Sequence, residues 1–169
     1  RCLPCAFATA AETLLQLINE LQPAMVIATG LGPGRSDISI ERVAINVNDA
    51  RIPDNLGAQP IDIAVVDGGP AAYFSTLPIK GMVKAVREAG IAASVSQTAG
   101  TFVCNQVFYR LQHALVGTGV RSGFIHVPGL PDAGEPSMAL STIVEGLRVA
   151  ALAAWQTQVD IALSGGQVS

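Results

Sequence analysis

The sequence predicts an α/β fold, a layered sheet with helices on both faces. Three observations carry that prediction. Short apolar, β-branched runs alternate with longer segments whose apolar residues recur at helical spacing. The connections between them are short and rich in glycine. Half of the 169 residues are apolar and only 14% are charged, enough apolar surface for one domain to fold without a metal or disulfide staple.

The elements follow in order. Residues 9–21, TAAETLLQLINEL, place Leu14, Leu17, Ile18 and Leu21 on one helical face. Thr9 with Glu12 has the capping-box pattern, and Pro23 ends the helix. Ahead of it, residues 1–7 read as the end of a strand. AMVIATG (24–30) reads as a buried strand, and LGPGRSD as the turn behind it. Residues 38–52 alternate in part and read as extended. PDNLGAQP (53–60) is a loop, IDIAVV (61–66) a short strand, and DGGPAAYFSTLP a loop with a helical turn. IKGMVKAVREA (79–89) is amphipathic and closes at Gly90, a good C-terminal position. IAASVSQ (91–97) is a strand, TAG a tight turn, and FVCNQVFYRLQHALV (102–116) a helix ended by Gly117. GFIHVP (123–128) is a strand stopped by Pro128, and residues 137–155 form the last helix. The tail SGGQVS is expected to be mobile. The methionines and scattered aromatics read as core. No internal repeat and no interdomain linker stand out, so residues 1–169 read as one domain.

Composition excludes several function classes. A net charge of −3 argues against a nucleic-acid or anionic-membrane surface. No apolar run reaches about 18 uninterrupted residues, so no membrane span is expected. RCLPCAFATA lacks the charged region and long apolar core of a signal peptide. Three cysteines, an odd number, fit a reducing compartment better than a secreted disulfide framework. Cys2, Cys5, Cys104, His113 and His126 do not repeat a ligand spacing, so no metal is expected.

In a layered α/β fold, ligands sit beyond the carboxyl ends of the strands. Cys104 falls there, after a strand and a Thr-Ala-Gly turn, in the first turn of a helix. The positive end of the helix dipole lowers a thiol pKa, and amides at the turn could hold an oxyanion. The plain reading is a buried cysteine packing a helix face. His126, at the end of a short strand, could take the thiol proton; its plain reading is a hydrogen-bonded core histidine. His113 competes. It lies nine residues after Cys104, about 900° round and about 13 Å along the helix, on roughly the opposite face. His126 is therefore favoured. Glu41, within ISIERVAI, could orient the imidazole and stabilise its cation. Its plain reading is an ion pair with Arg42 or Arg35. Asp54 is a second acid that could serve. Cys2-Leu-Pro-Cys5 has the spacing of thiol redox motifs but falls ahead of the first helix rather than at its start. The turns GLGPGR and DGGP match no phosphate-loop or dinucleotide pattern and read as tight turns.

Five segments go beyond general physics: GLGPGRSDISIERVAIN, DARIPDN, YFSTLPIK, SQTAGTFVCNQVFY and SGFIHVP. In this order they closely resemble the pyroglutamyl peptidase I family, cysteine peptidases that remove N-terminal pyroglutamate. The resemblance implies an α/β/α sandwich of three layers with a twisted mixed sheet. It implies Cys104 as nucleophile in the AG-x-x-x-CN motif, His126 as base in SGFIHVP, and Glu41 as triad acid in ERVA. It places Arg51 near the oxyanion and makes Asp54 an auxiliary acid. Phe102, Val103 and Ile52 would line the pyroglutamate pocket. It implies no cofactor, peptides with N-terminal pyroglutamate as substrates, a cytoplasmic location, and a homo-oligomer, dimer or tetramer. The family begins with a further strand and an aromatic GFxPFGG-type loop, neither of which is in these residues. VPGLPDAGEPSM (127–138) is also shorter than the family's loop. Two other classes compete. One is a catalytically inactive homologue or fragment acting as a binding or assembly subunit. The other is a redox protein built on Cys2 and Cys5.

Overall fold

The computed structural model describes residues 1–166. Its helices are α1 (Ala10–Leu21), α2 (Ile79–Glu88), α3 (Val103–Leu115) and α4 (Leu140–Gln156). Its strands are β1 (Met25–Leu31), β2 (Ile38–Glu41), β3 (Val43–Ile45), β4 (Ala72–Phe74), β5 (Ala93–Ser96) and β6 (Arg121–Val127). The larger sheet has the order β1-β6-β2-β5 and is mixed. β2 runs parallel to β5, with Glu41 opposite Ser96, and antiparallel to β6, with Ser39 opposite His126. β3 and β4 form a separate antiparallel pair.

The chain divides into two compact units, each assembled from separate segments. One holds Arg1–Ala28, Val43–Ser75 and Thr98–Gly123. In it α3 packs on β3, β4 and α1, burying Val107, Phe108, Tyr109 and Leu111. The other holds Thr29–Arg42, Thr76–Gln97 and the chain from Phe124 onward. There α2 packs on β2 and β5, α4 packs on β2, and the two helices pack on each other. Ile38, Ile40, Met82 and Val86 are fully buried. A side chain at Gly146 of α4 would run into Ile38, so the helix lies very close to the strand. α2 has no cap of its own. The Asp160 carboxylate supplies one, accepting the Lys80 and Gly81 N–H groups at 3.1 and 2.9 Å.

Several expectations are corrected. The capping box at α1 is not formed: Thr9 makes no side-chain cap, and Glu12 turns to Arg110 at 2.8 Å. Residues 1–9 hold no strand. The Phe7 N–H goes to the Asp54 carboxylate rather than to a strand partner. The strand expected at 61–66 shrinks to a single bridge between Ile63 and Asn48. The cause is Asn46, whose side chain takes both the N–H and the carbonyl of Val66. Conversely, Ala72–Phe74 is a strand where a loop was expected. The extended stretch after residue 38 breaks at Arg42 into β2 and β3. α4 starts later than expected, because Met138 donates its N–H to Gly129. Phe74 and Trp155 are exposed rather than core, and of the methionines only Met82 is buried. The expectation of a mobile tail falls, for residues 167–169, outside the described residues.

Candidate active site

Cys104 is the second residue of α3, half-buried and not in a disulfide. The turn before it is built tightly. Gly100 has φ +78°, the left-handed region that favours glycine, and its N–H donates to Thr98 Oγ1 at 3.0 Å. Thr101 Oγ1 donates to the Asp49 carbonyl at 2.7 Å, and the Asp49 N–H donates to the Thr101 carbonyl at 3.0 Å. These bonds tie the turn to the segment carrying Arg51 and Ile52, both exposed. Asn105, the residue after the thiol, is fully buried. Its Oδ1 accepts the Ile45 N–H at 3.0 Å, and its Nδ2 donates to the carbonyls of Ile45 and Val47 at 2.9 and 3.0 Å. Sequence reasoning assigned Asn105 no role. The available signal was a carboxamide inside an otherwise apolar helix face, since a buried amide needs partners.

Phe102 stands at the helix start in extended conformation. Its ring meets Phe7 edge to face, with centroids 5.1 Å apart. Val103 is buried. Asp54 is engaged entirely by backbone. Oδ2 accepts the Phe7 N–H at 2.7 Å, and Oδ1 accepts those of Leu56 and Ala58 at 2.8 and 2.9 Å. Burial raises its pKa, but the backbone N–H groups of Phe7, Ala58, Leu56 and Gly57 together outweigh that and hold it below the ordinary value. Asp54 thus pins Phe7, which packs on Phe102. His113 faces away from such chemistry. It is exposed, and its Nδ1 lies 2.8 Å from the Tyr73 hydroxyl.

The other unit brings His126 and Glu41 together. The His126 Nδ1–H donates to Glu41 Oε1 at 2.7 Å, with both side chains buried. Strand register explains the meeting: Ser39 lies opposite His126, and Glu41 is two residues on, on the same face. Phe124 packs against the imidazole, centroids 4.8 Å apart. Arg35 also reaches Glu41 Oε1, at 2.9 Å. The ion pair weighed as the plain alternative for Glu41 therefore coexists with the histidine contact. An imidazole held through Nδ1 by a buried carboxylate presents Nε2 as a base, the arrangement a thiol nucleophile needs. Among the described residues, no cluster of three or more His, Cys, Asp or Glu could hold a metal ion. No helix there is long and apolar enough to cross a membrane.

Known proteins resemble this chain over nearly its whole length. Pyrrolidone-carboxylate peptidase of Pseudomonas fluorescens is 77% identical over 173 residues, covering all of this chain and 81% of the relative. That of Cupriavidus necator is 57% identical over 176 residues, covering 99% and 82%. Among solved structures, pyroglutamyl peptidase I from Bacillus amyloliquefaciens superposes with a TM-score of 0.93 at 42% identity, over 96% of this chain and 80% of that one. Pyrrolidone carboxyl peptidase from Thermococcus litoralis gives 0.91 at 36% identity, over 96% and 81%. The α/β/α class with a mixed sheet stands on these likenesses. Residues 1–157 match the family described as pyroglutamyl peptidase, and with sequence and fold in agreement the chain belongs to that family.

Proposed function

We propose that this chain is a cysteine exopeptidase that removes pyroglutamate from the N-terminus of peptides. The observation that supports it most is the buried His126–Glu41 pair at 2.7 Å, in a chain of the pyroglutamyl peptidase family that carries the segment AGTFVCN. Cys104 is the nucleophile, His126 the base and Glu41 the acid that orients it. His126 Nε2 takes the thiol proton, and the sulfur attacks the carbonyl joining pyroglutamate to the next residue. The tetrahedral oxyanion is held by backbone N–H groups at the start of α3, with Arg51 beside them. His126 then protonates the leaving amine. Water hydrolyses the thioester, releasing pyroglutamate and returning the thiol.

Phe102 and Val103 form the apolar wall against the lactam, with Ile52 as an added flank. Asp54 acts through structure: it holds Phe7 against Phe102 and does not exchange protons with substrate. The lactam is uncharged, so an apolar wall with few polar partners suits it, and a free α-ammonium would be desolvated at a cost. Residues 1–169 act as one catalytic domain, without cofactor, in the cytoplasm and as a homo-oligomer.

The test is release of aminomethylcoumarin from its pyroglutamyl amide. The protein should turn this over and leave the glutaminyl amide intact, and Cys104→Ala should lower kcat by at least about 10³-fold. Binding of the pyroglutamyl amide without turnover would instead support the binding-subunit reading.

A further inference from the structure

The GLGPGR turn does more than reverse the chain. Its Gly32 N–H donates to the Val127 carbonyl at 2.9 Å, beside His126 in β6, and the Arg35 N–H closes the turn onto the Gly32 carbonyl at 3.1 Å. From there the Arg35 side chain reaches Glu41 Oε1 at 2.9 Å, the same oxygen that His126 holds at 2.7 Å. Glu41 is fully buried, and its other oxygen, Oε2, has no hydrogen-bond partner among the described residues. A buried carboxylate stays ionised only if its charge is compensated. Here the permanent positive charge comes from Arg35, because a neutral imidazole donates a hydrogen bond but carries no charge. The path of that side chain depends on Gly32. A Cβ there would stand 2.5 Å from Arg35 Cδ and 2.8 Å from Nε.

From this geometry we propose that Arg35 is a positioning residue for the peptidase reaction, seated by Gly32, which holds the Glu41 carboxylate in place so that His126 keeps its hydrogen on Nδ1 and offers Nε2 as base. Without the guanidinium, the carboxylate is left buried with one neutral partner. It is then no longer held in place, and the imidazole loses the bond that fixes its tautomer. The proposal rests on the peptidase reading above. Arg35 acts through Glu41 and His126, so its loss should fall on kcat and leave KM nearly unchanged.

The experiment uses the whole chain as wild type, Arg35→Gln, Arg35→Lys and Gly32→Ala, with histidine labelled by nitrogen-15. Only two histidines are present, so their ring signals separate readily. His113, bonded to Tyr73, reports whether each variant is folded. The expected result has three parts. Arg35→Gln and Gly32→Ala lose the His126 Nδ1–H signal, keep the His113 signals, and drop about 10- to 100-fold in kcat, the range for partners that orient an imidazole. Arg35→Lys, which restores the charge, recovers both the signal and most of the rate. Gly32→Ala keeps the arginine and only displaces it, so it separates position from charge. The proposal is overturned if Arg35→Gln keeps the His126 signal and wild-type kcat, or if Arg35→Lys is no better than Arg35→Gln. Loss of the His113 signals as well would overturn it too, by making the residue a general scaffold element. The spectra need no substrate, so absence of turnover by the wild type would remove the peptidase reading while the imidazole signals still decide the role of Arg35.

Discussion

Two donors converge on one oxygen of Glu41, and three backbone amides converge on the carboxylate of Asp54. The same carboxylate group therefore serves two ends. Glu41 is buried among side chains whose protons matter to chemistry, whereas Asp54 is saturated by its own loop and by Phe7. Asp54 has a measurable consequence. Its folded pKa lies below its ordinary value of 3.8, because the backbone bonds outweigh burial. A depressed carboxylate contributes stability that is complete above the unfolded pKa and is lost as pH falls through the folded pKa. The stability gap between wild type and Asp54→Asn should therefore stay constant at neutral pH. It should narrow only as the solution is acidified below 3.8, which urea melts across that range will read. The motif letters pointed to Cys104, His126 and Glu41, since each chemistry needs a particular side chain, and the structure pairs the last two. The partners of Asn105, and the sharing of one Glu41 oxygen by Arg35 and His126, were not legible. Both depend on which backbone or carboxylate comes near in space, and no local pattern encodes that.

Among the elements, the contact of α4 with β2 makes a prediction whose sign is set by packing. Glycine inside a helix normally costs about 0.5–1 kcal/mol against alanine. Propensity alone would make Gly146→Ala stabilising. A Cβ at Gly146 would run into the Ile38 side chain, which is fully buried, and would also press on Ile91. Overpacking of this kind costs about 1–3 kcal/mol, so Gly146→Ala should lower the melting temperature, as a calorimetric scan will show. Helices were the most legible elements, because their apolar period runs over ten residues or more and averages out single exceptions. Their ends were less so. α1 lacks the cap its letters suggest, and α2 borrows Asp160 from far along the chain. Short strands were the least legible. IDIAVV has strand composition, yet the Asn46 side chain occupies the Val66 backbone, while the unremarkable Ala72–Phe74 pairs with β3.

For the whole molecule, alternating element types were enough to read the α/β class, and the comparisons bear it out. The division into two interleaved units was not legible, because each unit draws on distant segments and no linker composition marks a boundary. The resemblance joined what periodicity could not, naming residues from both units as parts of one chemistry. The central claim is that Cys104 carries the acyl group during turnover. The most direct measurement is to mix the protein with pyroglutamyl aminomethylcoumarin, stop the reaction in acid within a turnover, and read intact mass and peptide map. One pyroglutamyl group should be found on the peptide that holds Cys104, and Cys104→Ala should carry none. An acyl group on Cys2 or Cys5, or product formation with no acyl group on any thiol, would contradict the account.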